Sequence, residues 1–300
     1  MSMARSELTN RWLVALVGIP TAVGLAWVGR WGLGPVLALF SAGAALEVYR
    51  FAALQGVMAL RVPGAIAAAA LVMLATLFPT VALAGPVIWT FIMAFLLLLL
   101  ALAALVRGVE GRPLLVVAVT AAGALVPAGG MSFLVFIRHL PLAAPADAFE
   151  LWPTVAGVAL VAYPLMVTWS TDSAAFFGGR RWGRHKLASR LSPGKTREGG
   201  VLGLVGGTAG GVFMGLVVFD LWLGMPISWL AGGVGGLLIS ALSQLGDLSE
   251  SAWKREAGVK DSGTVFPGHG GILDRMDSLI FTLPASYWWL ALVLPGASLW

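Results

Sequence analysis

The chain has 300 residues, of which 59% are hydrophobic and only 11% are charged, and it contains no cysteine. This composition excludes an ordinary soluble domain and indicates a protein that crosses the membrane several times. The lack of cysteine excludes disulfides, thiolate metal sites, iron–sulfur clusters and a cysteine nucleophile. The formal net charge of +5 does not indicate nucleic-acid binding, because the excess of basic residues is concentrated in one segment, 172–199.

Apolar runs of membrane-spanning length recur along the chain. Since a bilayer requires about 17–25 apolar residues per helix, these runs predict nine transmembrane helices, near 12–28, 32–49, 64–84, 87–106, 114–137, 154–171, 200–222, 226–246 and 279–298. The first run has no evident cleavage site after it and is interpreted as a retained span. We therefore expect an all-α fold in which 1–300 form one membrane-embedded domain, with N-terminal spans at 12–137 and a catalytic part at 154–298.

The distribution of basic residues predicts the orientation of these spans. With the N-terminus in the cytoplasm, all but two of the 19 Lys and Arg residues fall on the cytoplasmic side, and only Arg30 and Arg138 lie opposite. Because Lys and Arg favour cytoplasmic loops, we expect a cytoplasmic N-terminus and an external C-terminus in the cell membrane. The polar segments 172–199 and 247–277 are then both cytoplasmic loops.

The segment 172–199 carries seven Lys and Arg residues against two acidic ones. Its tripeptide Gly194-Lys195-Thr196 invites a P-loop assignment, but that motif would need glycine at Ser189 and a preceding buried strand. Two interpretations remain for the basic residues: they bind phosphates, or they serve as a topology signal attracted to anionic headgroups. The turn formers Ser192-Pro193-Gly194 predict a turn here.

The seventh apolar run contains glycine at every fourth position, at Gly203, Gly207, Gly211 and Gly215. Small residues at this spacing let another helix approach closely. We favour packing within one chain, and a homodimer face is the alternative.

The most polar stretch of the chain, 247–277, lies between two apolar runs and holds ten Lys, Arg, Asp and Glu residues. A helix would place four of its polar side chains on one face, namely Asp247, Glu250, Ser251 and Lys254. A second acidic pair, Asp274 and Asp277, opens the last apolar run, with Asp261 and His269 in between. Carboxylates this close repel one another unless cations are present, so we expect a site for a metal and anionic oxygens. A solvated charged loop is the alternative.

Two blocks of motif residues stand out in these polar segments. The longer block comprises Ser251, Lys254-Arg255, Lys260-Asp261, Gly263, Phe266-Pro267, His269-Gly270-Gly271, Asp274-Arg275 and Asp277. The shorter block comprises Asp172, Ala175–Gly179, Ser192-Pro193, Lys195-Thr196 and Glu198-Gly199. Together they resemble the signature of the phosphatidate cytidylyltransferases, also called CDP-diacylglycerol synthases. The departures from that pattern are Trp253, Phe176 and Gly194.

The resemblance implies a reaction in which CTP and phosphatidate give CDP-diacylglycerol and pyrophosphate at the cytoplasmic face of the bilayer. It also implies Mg²⁺ as a cofactor, with K⁺ as a second cation described in the family. Asp247 and Asp274 are the expected direct Mg²⁺ ligands, one from each helix that flanks the loop. Glu250, Asp261 and Asp277 would complete the shell or hold the second cation.

The other motif residues are expected to contact substrates. Phosphate contacts are implied for Lys254, Arg255, Lys260 and Arg275. Substrate binding is implied for Asp172, Ser192, Lys195, Thr196, Glu198, Ser251, Gly270 and Gly271. His269 belongs to the same catalytic set, but the phosphate nucleophile is already ionised near neutral pH and needs no strong base. We expect His269 to shape the glycine turn or donate to a phosphate.

Two other functions stay open at this point. A CTP-dependent lipid kinase of the polyprenol or phytol type would make a phosphorylated alcohol instead of a CDP-lipid. A cation-coupled transporter would use intramembrane carboxylates, but we would expect those in the middle of spans, whereas the acidic residues here lie at span ends.

Overall fold

Helices make up most of the described chain. The computed structural model describes residues 16–145, 148–265 and 270–294. The helices are α1 (Leu16–Val28), α2 (Arg30–Leu54), α3 (Arg61–Leu77), α4 (Val81–Arg107), α5 (Pro113–Arg138), α6 (Trp152–Trp182), α7 (Arg197–Phe213), α8 (Trp229–Glu256) and α9 (Asp277–Val293). The chain continues from α7 into a π-helix, Met214–Trp222, and Leu273–Arg275 form one 3₁₀ turn before α9.

Among the described residues, six helices are long and apolar enough to cross a membrane: α2, α4, α5, α6, α7 with its π-helical continuation, and α8. The apolar helices α1 and α3 are shorter over their described residues. In α4, leucines such as Leu97 and Leu105 are exposed along the helix, as expected for a surface that faces lipid. The protein is therefore a nearly all-α integral membrane protein. The count of nine spans and the orientation of the termini stay predictions.

The expectation of an all-α fold is wrong in one place. Strands β1 (Lys186–Ala188) and β2 (Ser192–Thr196) pair as an antiparallel hairpin within the basic segment. The predicted turn formers therefore lie in β2, and the turn falls between the two strands. A two-stranded sheet consists only of edge strands, so Pro193 is accommodated without loss of a necessary donor.

The polar loops are shorter than hydropathy indicates. Because α6 ends at Trp182 and α7 begins at Arg197, only 183–196 of the basic segment lies outside helices. Likewise α8 extends to Glu256, and it contains the predicted helical set Asp247, Glu250, Ser251 and Lys254. Hydropathy marks where apolar residues stop, not where a helix stops. With 31 residues, α6 is roughly 46 Å long, well beyond the ~30 Å hydrocarbon core.

The chain divides into two compact units. The first takes in the chain up to Val135 together with Trp253–Met276. Its core includes Tyr49, which is 1% exposed and donates a hydrogen bond to the carbonyl of Thr120 at 2.8 Å. This bond ties α2 to α5.

The second unit comprises Phe136–Ala252 and the chain from Asp277 onward. Its core includes Tyr163 of α6, which donates to the carbonyl of Gly232 in α8 at 2.8 Å. The indole of Trp289 in α9 donates to the carbonyl of Ala231 at 3.1 Å. These bonds fix α8 between α6 and α9.

The glycine strip of α7 packs inside the second unit. A Cβ added at Gly207 would meet the side chains of Thr171 and Ser240, and one at Gly211 would meet the backbone of Gly232. The preferred interpretation, close helix packing within one chain, is confirmed for this strip. The glycine strip therefore no longer supports the alternative that this face mediates a homodimer.

Candidate functional site

A cavity of about 670 Å³ lies in the second unit, where α6, the hairpin, α7 and α8 come together. This volume falls in the range of roughly 300–1,000 Å³ that is typical of small-molecule sites. The lining residues are Asp172, Ala175, Phe176, Gly179, Arg180, Leu187, Ser192, Gly194, Lys195, Thr196, Gly199, Gly200, Gln244 and Asp247. The folded chain therefore brings residues of the basic segment together with the first carboxylate of the 247–277 stretch.

Lys195 of β2 and Asp247 of α8 form an ion pair in this cavity. The ammonium nitrogen lies 2.5 Å from a carboxylate oxygen, and both side chains are partly buried. Asp172 of α6 and the cationic Arg180 line the same cavity. Two carboxylates beside two cations form a charge pattern that suits a polyphosphate bound together with a metal ion.

The hairpin that carries Lys195 is anchored by two residues predicted to bind substrate. The carboxylate of Glu198 accepts hydrogen bonds from the backbone N–H groups of Arg184 and His185, and it lies 2.6 Å from the His185 ring. Thr196 caps α7 by accepting from the N–H of Gly199 at 3.1 Å. Thr196 also lines the cavity, whereas the observed contacts of Glu198 are structural.

In the first unit, Asp274 is the centre of a hydrogen-bonded cluster. Lys254 donates to one of its carboxylate oxygens at 2.6 Å. The other oxygen accepts from the N–H and hydroxyl of Ser262, each at 2.9 Å, and from the N–H of Gly271 at 2.7 Å. Only 7% of the Asp274 side chain is exposed. Gly270, at φ 81°, adopts a left-handed conformation that favours glycine in this turn.

The carboxylate of Glu47 in α2 also accepts hydrogen bonds from residues of this cluster. Its two carboxylate oxygens accept from the N–H of Ile272 at 2.9 Å and from the N–H of Leu273 at 2.8 Å, and Ser262 lies 2.7 Å away. A Cβ at Gly263 or Gly271 would collide with this carboxylate. The two glycines therefore make room for a buried acid 215 or more positions earlier in the chain.

The remaining predicted residues of the 247–277 stretch are placed in different ways. Glu250 and Ser251 are buried in α8. Asp277 accepts from the N–H of Ser278 at 2.6 Å at the start of α9. Four others are exposed: Arg255, Lys260, Asp261 and Arg275. His269 and Phe266-Pro267 lie outside the described residues.

Within 16–145, 148–265 and 270–294, no three Asp, Glu or His side chains form a ready-made metal site. The two expected Mg²⁺ ligands, Asp247 and Asp274, belong to different units, and their joint coordination of a metal stays a prediction. Their surroundings differ, because Asp274 accepts hydrogen bonds from several protein donors, whereas Asp247 pairs with Lys195 in a cavity that Asp172 also lines. Mg²⁺ is commonly held by one or two carboxylates plus substrate phosphates, so the donor set of the second-unit cavity fits this ion.

Comparison with known proteins gives the family. The model of the cytidylyltransferase family matches residues 9–293. This chain belongs to that family. The phosphatidate cytidylyltransferase of Bacillus subtilis (strain 168) is 45% identical over 139 residues, which are 45% of this chain and 49% of that protein.

Two further relatives carry the same name. The Synechocystis protein is 44% identical over 146 residues, covering 49% of this chain and 47% of the relative. The Haemophilus influenzae protein is 42% identical over 135 residues, covering 43% of this chain and 44% of the relative. The chain thus spans about half the length of the curated relatives that it matches.

Three residues that matter to these sites are missing from the predicted site residues. They are Glu47 of α2, Ser262 in the loop after α8, and Gln244 of α8. A buried acid on the second helix gives no local signal that it will meet a loop more than two hundred positions later. Gln244 did carry a signal, because it precedes Asp247 by one helical turn and so shares its face.

Proposed function

We propose that this protein transfers a cytidylyl group from CTP to phosphatidate, releasing pyrophosphate. The observation that carries the proposal is the cavity that Lys195, Arg180, Asp172 and Asp247 share. Membership of the cytidylyltransferase family and the names of the relatives support it. The six candidate spans agree with a lipid acceptor that stays in the bilayer.

The chemistry requires two strongly anionic reactants to meet. An oxygen of the phosphatidate phosphate forms a bond to the α-phosphorus of CTP, and the bond from that phosphorus to the bridging oxygen of the β-phosphate breaks. The electron pair of the broken bond leaves with pyrophosphate. Lys195 and Arg180 would reduce the repulsion and stabilise the charge that develops on the leaving group. The attacking phosphate is already ionised, so no side chain has to remove a proton.

In this proposal Asp172 and Asp247, which line the cavity, would hold Mg²⁺ together with the phosphates of CTP. When bound, it would supply positive charge at the triphosphate. Lys195 pairs with Asp247, so this side chain could exchange its carboxylate partner for a phosphate when CTP binds. The cluster of Asp274, Lys254 and Ser262 would hold the longer motif block, 251–277, in a fixed conformation.

We further infer that the chain crosses the membrane nine times, with the N-terminus and the catalytic cavity on the cytoplasmic side. The bias of the basic residues toward one face supports this orientation. CTP is available on that side, whereas the lipid substrate would enter from the bilayer.

The direct test is an assay of the purified protein with phosphatidate, labelled CTP and Mg²⁺, in which labelled CDP-diacylglycerol is measured. Asp247→Asn should abolish product formation because it removes a carboxylate proposed to hold Mg²⁺. Asp274→Asn should do so for a different reason, because it removes the charge that pairs with Lys254 in the first-unit cluster. Asp147→Asn, which lies outside the described residues in the predicted external loop, is the matched control and should retain activity.

Chelation of the wild-type protein should give the same loss, which added Mg²⁺ reverses. A phosphorylated alcohol as the only labelled lipid would identify a lipid kinase instead. Near-normal activity of Asp247→Asn at saturating Mg²⁺ would show that the metal lies elsewhere.

A further inference from the structure

One side chain of the second-unit cavity has no part in the charge chemistry described above. Gln244 lines the cavity from α8, one turn before Asp247. Residues at this spacing lie on the same helix face, with their Cβ atoms about 5–6 Å apart. An uncharged carboxamide thus stands beside the carboxylate and the ion pair that would meet the phosphates.

The orientation of this carboxamide is fixed by the backbone of α7. Its nitrogen Nε2 donates a hydrogen bond to the carbonyl of Gly200 at 3.1 Å. A carbonyl can only accept, so the amide has to present its nitrogen to Gly200. The oxygen Oε1 lies 3.1 Å from the position that a Cβ at Gly200 would occupy, next to the side chain of Leu187. Both of those residues line the cavity, so the free acceptor is on the cavity side.

We propose that Gln244 determines the base specificity of the nucleotide site by accepting a hydrogen bond from the 4-amino group of cytosine. This inference rests on the proposed function. Cytosine has a donor at position 4, where uracil has an acceptor oxygen. The fixed Oε1 would therefore bind the amino group of CTP and would face the oxygen of UTP as a second acceptor.

The bond to Gly200 is what makes the selection effective. A freely rotating glutamine accommodates either pyrimidine, because turning its amide exchanges donor and acceptor. Here such a turn would place Oε1 against the Gly200 carbonyl and break the hydrogen bond. Discrimination of this kind depends on a repulsive contact with the wrong ligand as well as an attractive one with the right ligand.

The surroundings of Gln244 also suit a base. Leu187 and Phe176 line the same cavity, and 60% of Phe176 is exposed. Apolar and aromatic side chains provide contact area for the faces of a pyrimidine ring. Lys195 and Arg180 then remain for the phosphates.

The experiment is a double-mutant-type cycle in which the hydrogen bond is removed either by deleting the 4-amino group of the nucleotide or by replacing Gln244. CTP is compared with a CTP analogue that lacks the 4-amino group, in the wild type and in Gln244→Leu, and kcat/KM is measured for lipid-linked product. We expect loss of the amino group to lower kcat/KM of the wild type about 10- to 100-fold, the effect of one to three kcal/mol in base recognition. In Gln244→Leu the same loss should change kcat/KM less than threefold, because its partner is already gone. The preference for CTP over UTP should fall in parallel.

A purely structural role of Gln244 predicts a different result, since all nucleotides would then lose kcat/KM by the same factor and the preference for CTP would persist. That result would overturn the inference, as would a wild-type protein that uses the analogue as well as CTP. Ser249→Ala, on the same helix outside the cavity lining, is the control and should leave the preference unchanged. If Gln244→Leu does not fold, Gln244→Met offers a side chain of similar length for the same cycle. A wild type that forms no CDP-lipid from CTP would instead reject the proposed function itself.

Discussion

Glu47 is expected to control the conformation of the longer motif block, 251–277, although it lies on α2, far from that block in sequence. It accepts hydrogen bonds from the N–H groups of Ile272 and Leu273 and contacts the hydroxyl of Ser262. Ser262 in turn contacts Asp274. We predict that Glu47→Gln disorders this block while the helices of the first unit stay folded.

The magnitude follows from the hydrogen bonds that are lost. Glu47 is only 8% exposed, so water cannot replace its partners. Glutamine keeps one acceptor oxygen, but its NH₂ group would face either Ile272 or Leu273, donor against donor. One buried N–H left unsatisfied costs about 1–3 kcal/mol, and the loss of the carboxylate charge weakens the remaining bonds by about 1 kcal/mol each. A total of roughly 3 kcal/mol corresponds to about a hundredfold shift in the population of the ordered block.

Hydrogen–deuterium exchange measured by mass spectrometry detects this change directly. In Glu47→Gln the peptide that contains the amides of Ile272 and Leu273 should exchange faster, whereas peptides from α3 and α4 should not change. CDP-diacylglycerol formation should fall by one to two orders of magnitude. Glu110→Gln alters an exposed carboxylate of the same unit and should have neither effect. Unchanged exchange at 270–276 together with activity within twofold of the wild type would refute the reasoning.

Three further predictions concern the basic segment and the topology. Lys195→Ala should lose most activity because its ammonium group lies in the cavity, whereas Arg5→Ala, on the same predicted side of the membrane, should keep its activity. If the two variants are equally active in detergent, the basic segment is a topology signal alone. Gly199→Ala should reduce activity because its Cβ would lie 2.8 Å from the carbonyl of Ala175, while Gly194→Ala, with open space around it, should be tolerated; the reverse order would contradict this packing. Single cysteines introduced at the exposed Ser189 and Thr264 would be the only thiols, because the natural chain has no cysteine. Both sites are predicted to be cytoplasmic, so an impermeant thiol reagent should label them only in inverted vesicles, and labelling of intact cells would overturn the topology.

The sequence was sufficient to predict the membrane class and the approximate positions of the helices. Each apolar run overlaps a helix over its described residues, and the polar set from Asp247 to Lys254 is helical as its spacing indicates. The hairpin was not predictable from periodicity, because β1 has three residues and β2 contains Pro193 and Gly194. Strands this short are stabilised by contacts with neighbouring residues and not by intrinsic propensity. Here those contacts include the hydrogen bonds that Glu198 accepts from the N–H groups of Arg184 and His185.

The candidate sites were predictable only in part, for a related reason. Local spacing can identify residues that share one helix face, but it does not show which distant segments will meet. The ion pair of Lys195 with Asp247 joins positions 52 residues apart, and Glu47 meets a loop more than two hundred positions away. The resemblance to a known family supplied the candidate residues of both segments, yet it did not supply the carboxylate on α2 that supports one of them.

The glycines of the basic segment illustrate how helix packing sets the chemistry of a loop. Gly179 of α6 and Gly199 of α7 face each other closely enough that a Cβ on Gly199 would lie 3.1 Å from the Cα of Gly179. This approach fixes the start of α7, where Thr196 caps the helix. Lys195 directly precedes that cap, so the position of its ammonium group beside Asp247 follows from the contact between two helix backbones. Gly199 can therefore affect the proposed phosphate site as strongly as Lys195 does, because its packing determines the position of Lys195.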